Sequence, residues 1–96
     1  MGINLSVFTI LYVKKSLHSR EQIILQSLLR QTRNKIGLRQ DEVAARLETY
    51  QTFVSKYESG ERILDLPELR QVCQALDVPL LDFVRQYETE LEQAEN

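Results

Sequence analysis

The residue types that most often perform catalysis or bind metals are scarce in this sequence. His18 and Cys73 are its single histidine and its single cysteine. They cannot supply the usual His/Cys zinc ligand sets, and one cysteine cannot form an internal disulfide. No acid, base and nucleophile set converges on a predictable pocket, so we expect no enzyme, no metal site and no cofactor. Cys73 is more consistent with a small buried hydrophobic residue, and His18 with a solvated turn.

Charge is the second chemical feature, and it is unevenly distributed. Residues 14–40 contain seven basic residues and one acidic residue, whereas residues 41–96 contain five basic and thirteen acidic residues. A polyanion responds to the face presented to it rather than to the net charge of −2, so the basic segment is a candidate nucleic-acid surface. A solvated basic face on a helical protein would give the same pattern, and charge alone leaves both interpretations open.

Length and composition bound the elements that must position these residues. A chain of 96 residues with 43% apolar residues, three Gly and two Pro predicts one helical domain with its own core. No apolar run approaches the roughly 18 residues that span a membrane, so we expect a cytoplasmic protein without a membrane partner.

The two ends of the chain differ from the middle. Residues 5–13 are rich in β-branched and aromatic residues, as strands are. We therefore expect an N-terminal arm over residues 1–18, which is either a strand that pairs with its copy in a second subunit or a poorly ordered leader. Residues 88–96 have four acidic and no basic residues, and we expect this acidic tail to fray into solvent.

Capping residues and apolar spacing predict five helices over residues 19–87. Ser19 with Gln22 predicts a capping box that starts the first helix, and Gly37 ends that helix. Asp65 with Glu68 predicts another box at the start of the fourth helix, which runs to about residue 76. We expect the other three helices over residues 40–47, over residues 51–58 and from about residue 79 onward.

Apolar positions at helical spacing define the expected core. The second and third helices contribute an inward set, namely Val43, Ala44, Leu47, Val54 and Tyr57. The fourth helix has an apolar stripe formed by Leu66, Leu69, Val72, Cys73 and Leu76. Leu80, Phe83, Val84 and Tyr87 of the fifth helix, together with residues 5–13, are candidate dimer surfaces.

The second and third helices carry the most specific pattern. Two short helices joined by about three residues, the first with the small pair Ala44 and Ala45, have the helix-turn-helix pattern. Residues 37–47 (GLRQDEVAARL) and 50–62 (YQTFVSKYESGER) resemble the phage repressor and Cro-like family, often called XRE. The resemblance covers roughly residues 24–84 and implies an all-α, five-helix, lambda-repressor-like bundle, with the N-terminal arm as a possible extra strand.

The resemblance implies a set of DNA-binding residues. The third helix would enter the major groove and face base edges with Gln51, Thr52, Ser55 and Lys56. Phe53 would pack against a sugar or a thymine methyl group, Gln40 would contact a phosphate, and Ser59, Gly60 and Arg62 would lie along the DNA backbone. The resemblance also implies a partly buried ion pair that orients the third helix, formed by Arg33 and Glu58.

Three positions depart from the family pattern. Arg39 stands where Ser or Thr usually caps the second helix, which costs about 0.5–2 kcal/mol and adds a candidate phosphate contact. Glu48 stands in the turn where relatives often have Gly, so a left-handed conformation there would cost about 1–2 kcal/mol. Thr32 replaces a common leucine of the core.

Three functions are consistent with these observations. The first is a sequence-specific DNA-binding regulator, most simply a repressor, that binds a pseudo-palindromic operator as a homodimer. The second is an antitoxin that combines the same domain with a segment neutralising a toxin or another protein partner. The third is a helix-turn-helix adaptor that has lost DNA binding. Salt-dependent DNA affinity separates the first two from the third, and a co-purifying small basic protein would favour the second.

Overall fold

The computed structural model describes residues 19–95, and these residues form five α-helices. The all-α, five-helix architecture is therefore confirmed, while the expected arm over residues 1–18, with its possible strand, lies outside the described residues. In chain order the helices are α1 (Arg20–Ile36), α2 (Gln40–Arg46), α3 (Gln51–Ser59), α4 (Leu66–Ala75) and α5 (Leu80–Glu95).

The ends of α1 and α4 follow from local sequence signals. The Ser19 hydroxyl accepts a hydrogen bond from the Gln22 N–H at 3.1 Å, and Gly37 ends α1 in the left-handed conformation at φ 83°. At α4 the Glu68 N–H donates to the Asp65 carboxylate at 2.8 Å, and the Asp65 N–H donates to the Glu68 carboxylate at 3.0 Å. This reciprocal pair is the capping box expected from the sequence.

The core lies where α2, α3 and α4 meet α1 and the first turns of α5. Its members are Leu28, Leu29, Val43, Ala44, Val54, Tyr57, Val72, Cys73, Ala75, Leu76 and Phe83. The Cys73 side chain is fully buried, and burial raises the pKa of its thiol to about 11, so it packs as a neutral hydrophobic group. Ala44 is buried, whereas Ala45 is exposed, so one small residue rather than two lies at the contact between helices.

The expected end of the last helix was wrong. α5 continues through the acidic segment to Glu95 and runs antiparallel to α1. The Tyr87 hydroxyl donates to the backbone oxygen of Glu21 at 3.2 Å, and Leu91, one turn further along, is partly buried. Leu91 extends the apolar stripe of α5 at a spacing of four residues, and this stripe keeps the acidic segment helical.

Two apolar residues were also assigned to the wrong surface. Leu66 is 66% exposed because it opens α4, and the packed stripe of that helix begins one turn later at Leu69. Phe83 is 2% exposed and belongs to the core of the monomer, so it cannot also form a dimer surface. Leu80 and Tyr87 pack against the same core, which leaves Leu81, at 72% exposure, as the large apolar side chain that α5 presents to solvent.

The turn between α2 and α3 has the strain that the sequence anticipates. Glu48 adopts a left-handed conformation at φ 56°, where a Gly would be free of the clash between Cβ and backbone. Asp77, after α4, has a similar φ of 58°.

None of the helices formed by residues 19–95 is both long enough and apolar enough to cross a lipid bilayer.

Candidate nucleic-acid interface

Helix α3 is amphipathic in the sense that a recognition helix requires. Val54 and Tyr57 are buried at 0% and 2% exposure and attach the helix to the core. On the opposite side, the exposed side chains of Gln51, Thr52 and Lys56 face solvent, with Ser55 partly buried among them. Residues at positions i, i+1, i+4 and i+5 of a helix share one face. The four side chains assigned to base contacts therefore lie together on the outward face of α3.

A buried ion pair orients this helix. Glu58 is 2% exposed, and its carboxylate accepts hydrogen bonds from the Nε of Arg33 at 2.7 Å and the Nη2 of Arg33 at 2.9 Å. The Nη1 of Arg33 donates to the backbone oxygen of Leu38 at 2.9 Å, so one guanidinium joins α1, α3 and the loop before α2. The hydrogen bond to Glu58 raises the pKa of Arg33 despite its burial. The pair is present at the two positions where the family resemblance leads us to expect it.

A second guanidinium reaches the same carboxylate. The Nη2 of Arg30 donates to the backbone oxygen of Glu58 at 3.3 Å, and its Nε lies 3.7 Å from the Glu58 Oε1. The Arg30 side chain is 53% exposed, whereas that of Arg33 is 12% exposed. Solvent screens the Arg30 contact, so Arg33 is the main partner of Glu58.

A chain of side-chain hydrogen bonds links this ion pair to the tip of α3. The Nε2 of Gln40 donates to the Glu58 Oε1 at 2.9 Å, and the Nε2 of Gln51 donates to the Gln40 Oε1 at 2.6 Å. We call this Glu58–Gln40–Gln51 series the amide chain. It connects the start of α2 with the start of α3, so the relative position of the two helix ends is set by polar contacts as well as by packing.

Arg39 lies beside the amide chain at the start of α2. Its Nε donates to the Asp41 carboxylate at 3.0 Å, and its backbone N–H donates to the Glu42 carboxylate at 2.8 Å. A guanidinium has no acceptor and cannot cap the helix, as the sequence indicates. Arg39, Gln40 and Gln51 line one shallow depression of about 470 Å³.

Phe53 and Arg62 occupy places that the sequence did not predict. Phe53 is partly buried and meets the Tyr57 ring edge-on at a centroid distance of 5.6 Å. The Arg62 guanidinium lies 5.0 Å from the centre of the Phe53 ring and pairs with Glu68 at the start of α4. The structure thus places Phe53 and Arg62 in a stack that holds the loop after α3 against α4. No spacing rule links positions 53, 62 and 68, so local pattern could not reveal this stack.

The loop after α3 is tightly built around Gly60. The Ser59 hydroxyl has one hydrogen to donate, and it lies 3.1 Å from the backbone oxygen of Lys56 and 3.2 Å from the Glu61 carboxylate, the two acceptors within reach. Gly60 has φ 90°, and a Cβ there would lie 2.7 Å from the Gln26 Oε1. Gly60 therefore supplies both a left-handed conformation and space for α1.

Sequence reasoning missed Tyr50, which immediately precedes α3. Its side chain is 82% exposed, the most exposed of the large apolar residues described between residues 19 and 95. It stands at the N-cap position of α3, where it makes no capping hydrogen bond within the described part of the chain. An aromatic ring with a hydroxyl next to Gln51 is well placed to meet a ligand that covers the tip of α3. The sequence pattern gave no signal for Tyr50, because a single exposed aromatic residue belongs to no apolar stripe.

Comparison with known proteins defines the class of protein that has this fold. Residues 29–83, more than half of the chain, match a family model described as helix-turn-helix. An XRE-family like protein from Pseudomonas syringae pv. tomato str. DC3000 shares 33% identity, with 82% of this chain and 96% of that chain covered and a TM-score of 0.72. The fold and these matches define a DNA-binding transcriptional regulator of the helix-turn-helix class, not an enzyme. Within that class, the chain belongs to the XRE family.

More distant structures share the fold. The wild-type restriction-modification controller protein C.Esp1396I is 20% identical, with 79% of this chain and 99% of that chain covered and a TM-score of 0.74. The clp gene regulator ClgR from Corynebacterium glutamicum is 23% identical, with 78% and 82% covered and a TM-score of 0.67. C.Esp1396I also has a structure as a tetramer in complex with its natural 35 base-pair operator. No curated protein sequence gives a significant match.

Proposed function

We propose that this protein is a repressor that binds a pseudo-palindromic operator as a homodimer and reads base edges with the outward face of α3. The observation that carries the proposal is the polar face of Gln51, Thr52, Ser55 and Lys56, which is solvent-facing while the opposite face is held by buried contacts. Their chemistry suits the major groove, since Gln matches adenine N6 and N7, the Thr methyl group packs on thymine, and Lys reaches guanine acceptors.

Contacts to the DNA backbone would flank this face. Gln40 and Arg39 stand beside Gln51 in one depression, so a phosphate that approaches the start of α2 would meet an amide and a guanidinium together. Arg39 also pairs with Asp41, and its free energy of phosphate binding is reduced by the need to loosen that pair. Ser59 is an exposed residue at the far end of α3. Phosphate contacts position the helix, while α3 supplies the sequence preference.

Two features favour a dimer. A single small domain offers few phosphate contacts, and C.Esp1396I, which shares the fold, is known as a tetramer on its operator. The proposed dimer contact on α5 is Leu81, which is 72% exposed, because Phe83 is buried in the core. Two half-sites about one helical turn apart would then be bound by two copies of α3. A repressor acts where the DNA is, so the proposed location of the protein is the cytoplasm.

A filter-binding titration at several salt concentrations tests DNA binding by the full chain. Neutralising phosphates releases counterions, so we expect the logarithm of affinity to fall linearly with the logarithm of salt concentration. Affinity that does not change with salt would contradict the proposal and leave a helix-turn-helix adaptor. A small basic protein that co-purifies with the chain would instead support the antitoxin alternative.

The proposed dimer has its own test. Leu81→Glu places a charge where an apolar contact is expected, so the protein should become monomeric in sedimentation and lose DNA affinity. Thr89→Glu adds the same charge at an exposed position further along α5 and serves as the control. Equal oligomeric states for the two variants would exclude Leu81 from the dimer contact.

A further inference from the structure

Two residues that the family resemblance assigns to DNA contacts, Phe53 and Arg62, are engaged within the protein. The Arg62 guanidinium lies over the Phe53 ring, 5.0 Å from the ring centre, and its Nη2 donates to the Glu68 carboxylate. We call Phe53, Arg62 and Glu68 the closed stack. A cation that is already paired with a carboxylate has less to gain from a phosphate, so the closed stack and a DNA contact by Arg62 oppose each other.

Glu68 is held in place by the start of α4 rather than by Arg62. Its Oε1 accepts the backbone N–H of Asp65 at 3.0 Å, and its own N–H donates to the Asp65 carboxylate at 2.8 Å. This capping box uses one carboxylate oxygen and leaves the other, Oε2, on Arg62. Glu68 therefore presents a negative charge at a fixed position, whichever way the Arg62 side chain turns.

The backbone of the loop is fixed as well, so the movable part of the closed stack is the Arg62 side chain. The backbone N–H groups of Glu61 and Arg62 both donate to the backbone oxygen of Lys56, at 2.9 Å and 3.2 Å. These bonds tie the loop to the last turn of α3. The guanidinium can leave Glu68 by rotation about its own side-chain bonds, and neither the loop nor α4 has to unfold.

Both contacts of the guanidinium are weak enough for a phosphate to replace. The Arg62 side chain is 44% exposed and that of Glu68 is 25% exposed. Water screens an ion pair this open, and a cation over a ring at an exposed site adds little more. A guanidinium–phosphate contact is charge-assisted and frequently bidentate, and DNA binding also releases counterions. A DNA backbone close to Arg62 can therefore compensate for opening the closed stack.

We propose that Glu68 and the DNA backbone compete for Arg62. In the free protein Glu68 holds the guanidinium over Phe53. When α3 enters the major groove, the guanidinium turns to a backbone phosphate and leaves that face of the Phe53 ring uncovered. Glu68 is thus an autoinhibitory residue that lowers DNA affinity through Arg62 without touching the DNA. The inference rests on the proposed function, because the competing ligand is the proposed operator.

The decisive variant is Glu68→Gln, which removes the charge and keeps the cap. The oxygen of the new amide still accepts the Asp65 N–H, and its NH2 end only donates, so it cannot hold a guanidinium. Arg62→Ala removes the cation, and the double variant shows whether the effect of Glu68 passes through Arg62. Glu61→Gln is the matched control, because it makes the same change at a carboxylate of the same loop that lies beside the Ser59 hydroxyl. A melting curve checks that each variant folds.

The measurement is filter binding of full-length protein, at several salt concentrations, to an operator selected from random DNA by the unaltered chain. We expect Glu68→Gln to bind about 2- to 5-fold more tightly, which is the size of an exposed ion pair. Arg62→Ala should bind more weakly, and its slope of log affinity against log salt should be smaller by about one. In the Arg62→Ala background Glu68→Gln should give no gain beyond that of Glu61→Gln, which should have the same effect in both backgrounds.

The outcomes separate the inference from the proposed function. If Glu68→Gln weakens DNA binding, or strengthens it equally with and without Arg62, the competition is refuted while recognition by α3 stands. Unchanged affinity and salt slope in Arg62→Ala would also overturn it, because Arg62 would then make no phosphate contact. If the unaltered chain selects no operator, the proposed function fails, and the competition fails with it. A gain in affinity that disappears with Arg62 supports both.

Discussion

The helices that support the domain and the helices that form the interface begin in different ways. Ser19 and Asp65 place side-chain oxygens on the first turns of α1 and α4. Arg39 and Tyr50 stand at the corresponding positions of α2 and α3, and within residues 19–95 neither side chain makes a capping bond. A missing cap costs about 0.5–2 kcal/mol, so the interface pair is locally less stable than the supporting pair.

This difference shows where local stability and function separate. The N–H groups at an uncapped helix start carry partial positive charge and favour anions. The starts of α2 and α3 lie side by side, since Gln40 and Gln51 are hydrogen-bonded at 2.6 Å. Helices α2 and α3 are stabilised instead by their buried faces, which contribute Val43, Val54 and Glu58. The helix starts that form the interface are therefore exposed to solvent, while the opposite faces of the same helices are packed in the core.

Removing the contact behind the interface should have the largest effect on folding. Arg33→Ala leaves the Glu58 carboxylate buried without its main partner, and we expect a loss of about 3–5 kcal/mol in the free energy of unfolding. Arg30→Ala removes a guanidinium that is 53% exposed and should cost less than about 1 kcal/mol. Denaturant unfolding measures both. Equal stabilities for Arg33→Ala and the unaltered chain would contradict the role assigned to the pair.

Giving an interface helix the capping residue of a supporting helix tests the difference between the two kinds of helix start. Arg39→Ser completes a capping box, because the Glu42 carboxylate already accepts the N–H of residue 39 at 2.8 Å. We expect about 1 kcal/mol of added stability and weaker DNA binding, since a cation is lost beside the proposed phosphate contact.

Asp65→Ala is the matched control at a supporting helix. It should lose about 1 kcal/mol of stability and leave DNA affinity unchanged, because Asp65 lies outside the proposed DNA-binding set. Thermal melting and filter binding on the same preparations give both quantities. If Arg39→Ser changes stability and affinity in the same direction, the separation between the two pairs of helices is wrong.

Substitution in the turn between α2 and α3 should have the smallest effect on the free energy of unfolding. Glu48→Gly removes left-handed strain of about 1–2 kcal/mol but adds chain entropy to the unfolded state, so we expect a net gain of about 0.5–1 kcal/mol. Asp77→Gly should gain less, because a short polar side chain tolerates this conformation and Asp77 pairs with Arg46 at 3.3 Å. A destabilised Glu48→Gly protein in denaturant unfolding would show that Glu48 makes a compensating contact.

Sequence reasoning succeeded where the signal is local or where two positions belong to a known pattern. Capping residues located the starts of α1 and α4, and periodic apolar residues located most of the core. The positions of Arg33 and Glu58 were anticipated from the family resemblance, because nothing in their spacing of 25 residues requires a contact.

The remaining features depend on distances across the fold. The acidic segment stays helical because Leu91 follows Tyr87 by one turn, beside α1. Phe83 is a core residue rather than a dimer contact because α5 packs against the core in the monomer, and a helical stripe does not reveal which partner covers it. The orientation of the Gln51 amide requires three residues from two helices, which no local pattern records.

Selection of bound fragments from random DNA, performed in parallel with the unaltered chain and with Gln51→Ala, tests the recognition surface most directly. We predict that the unaltered chain enriches two related half-sites about one helical turn apart, and that Gln51→Ala loses the preference at one base pair of each half-site. Its affinity for the selected site should fall by about 1–3 kcal/mol. An identical enriched sequence for both proteins, or an equal loss of affinity on every sequence, would contradict recognition of DNA by the outward face of α3.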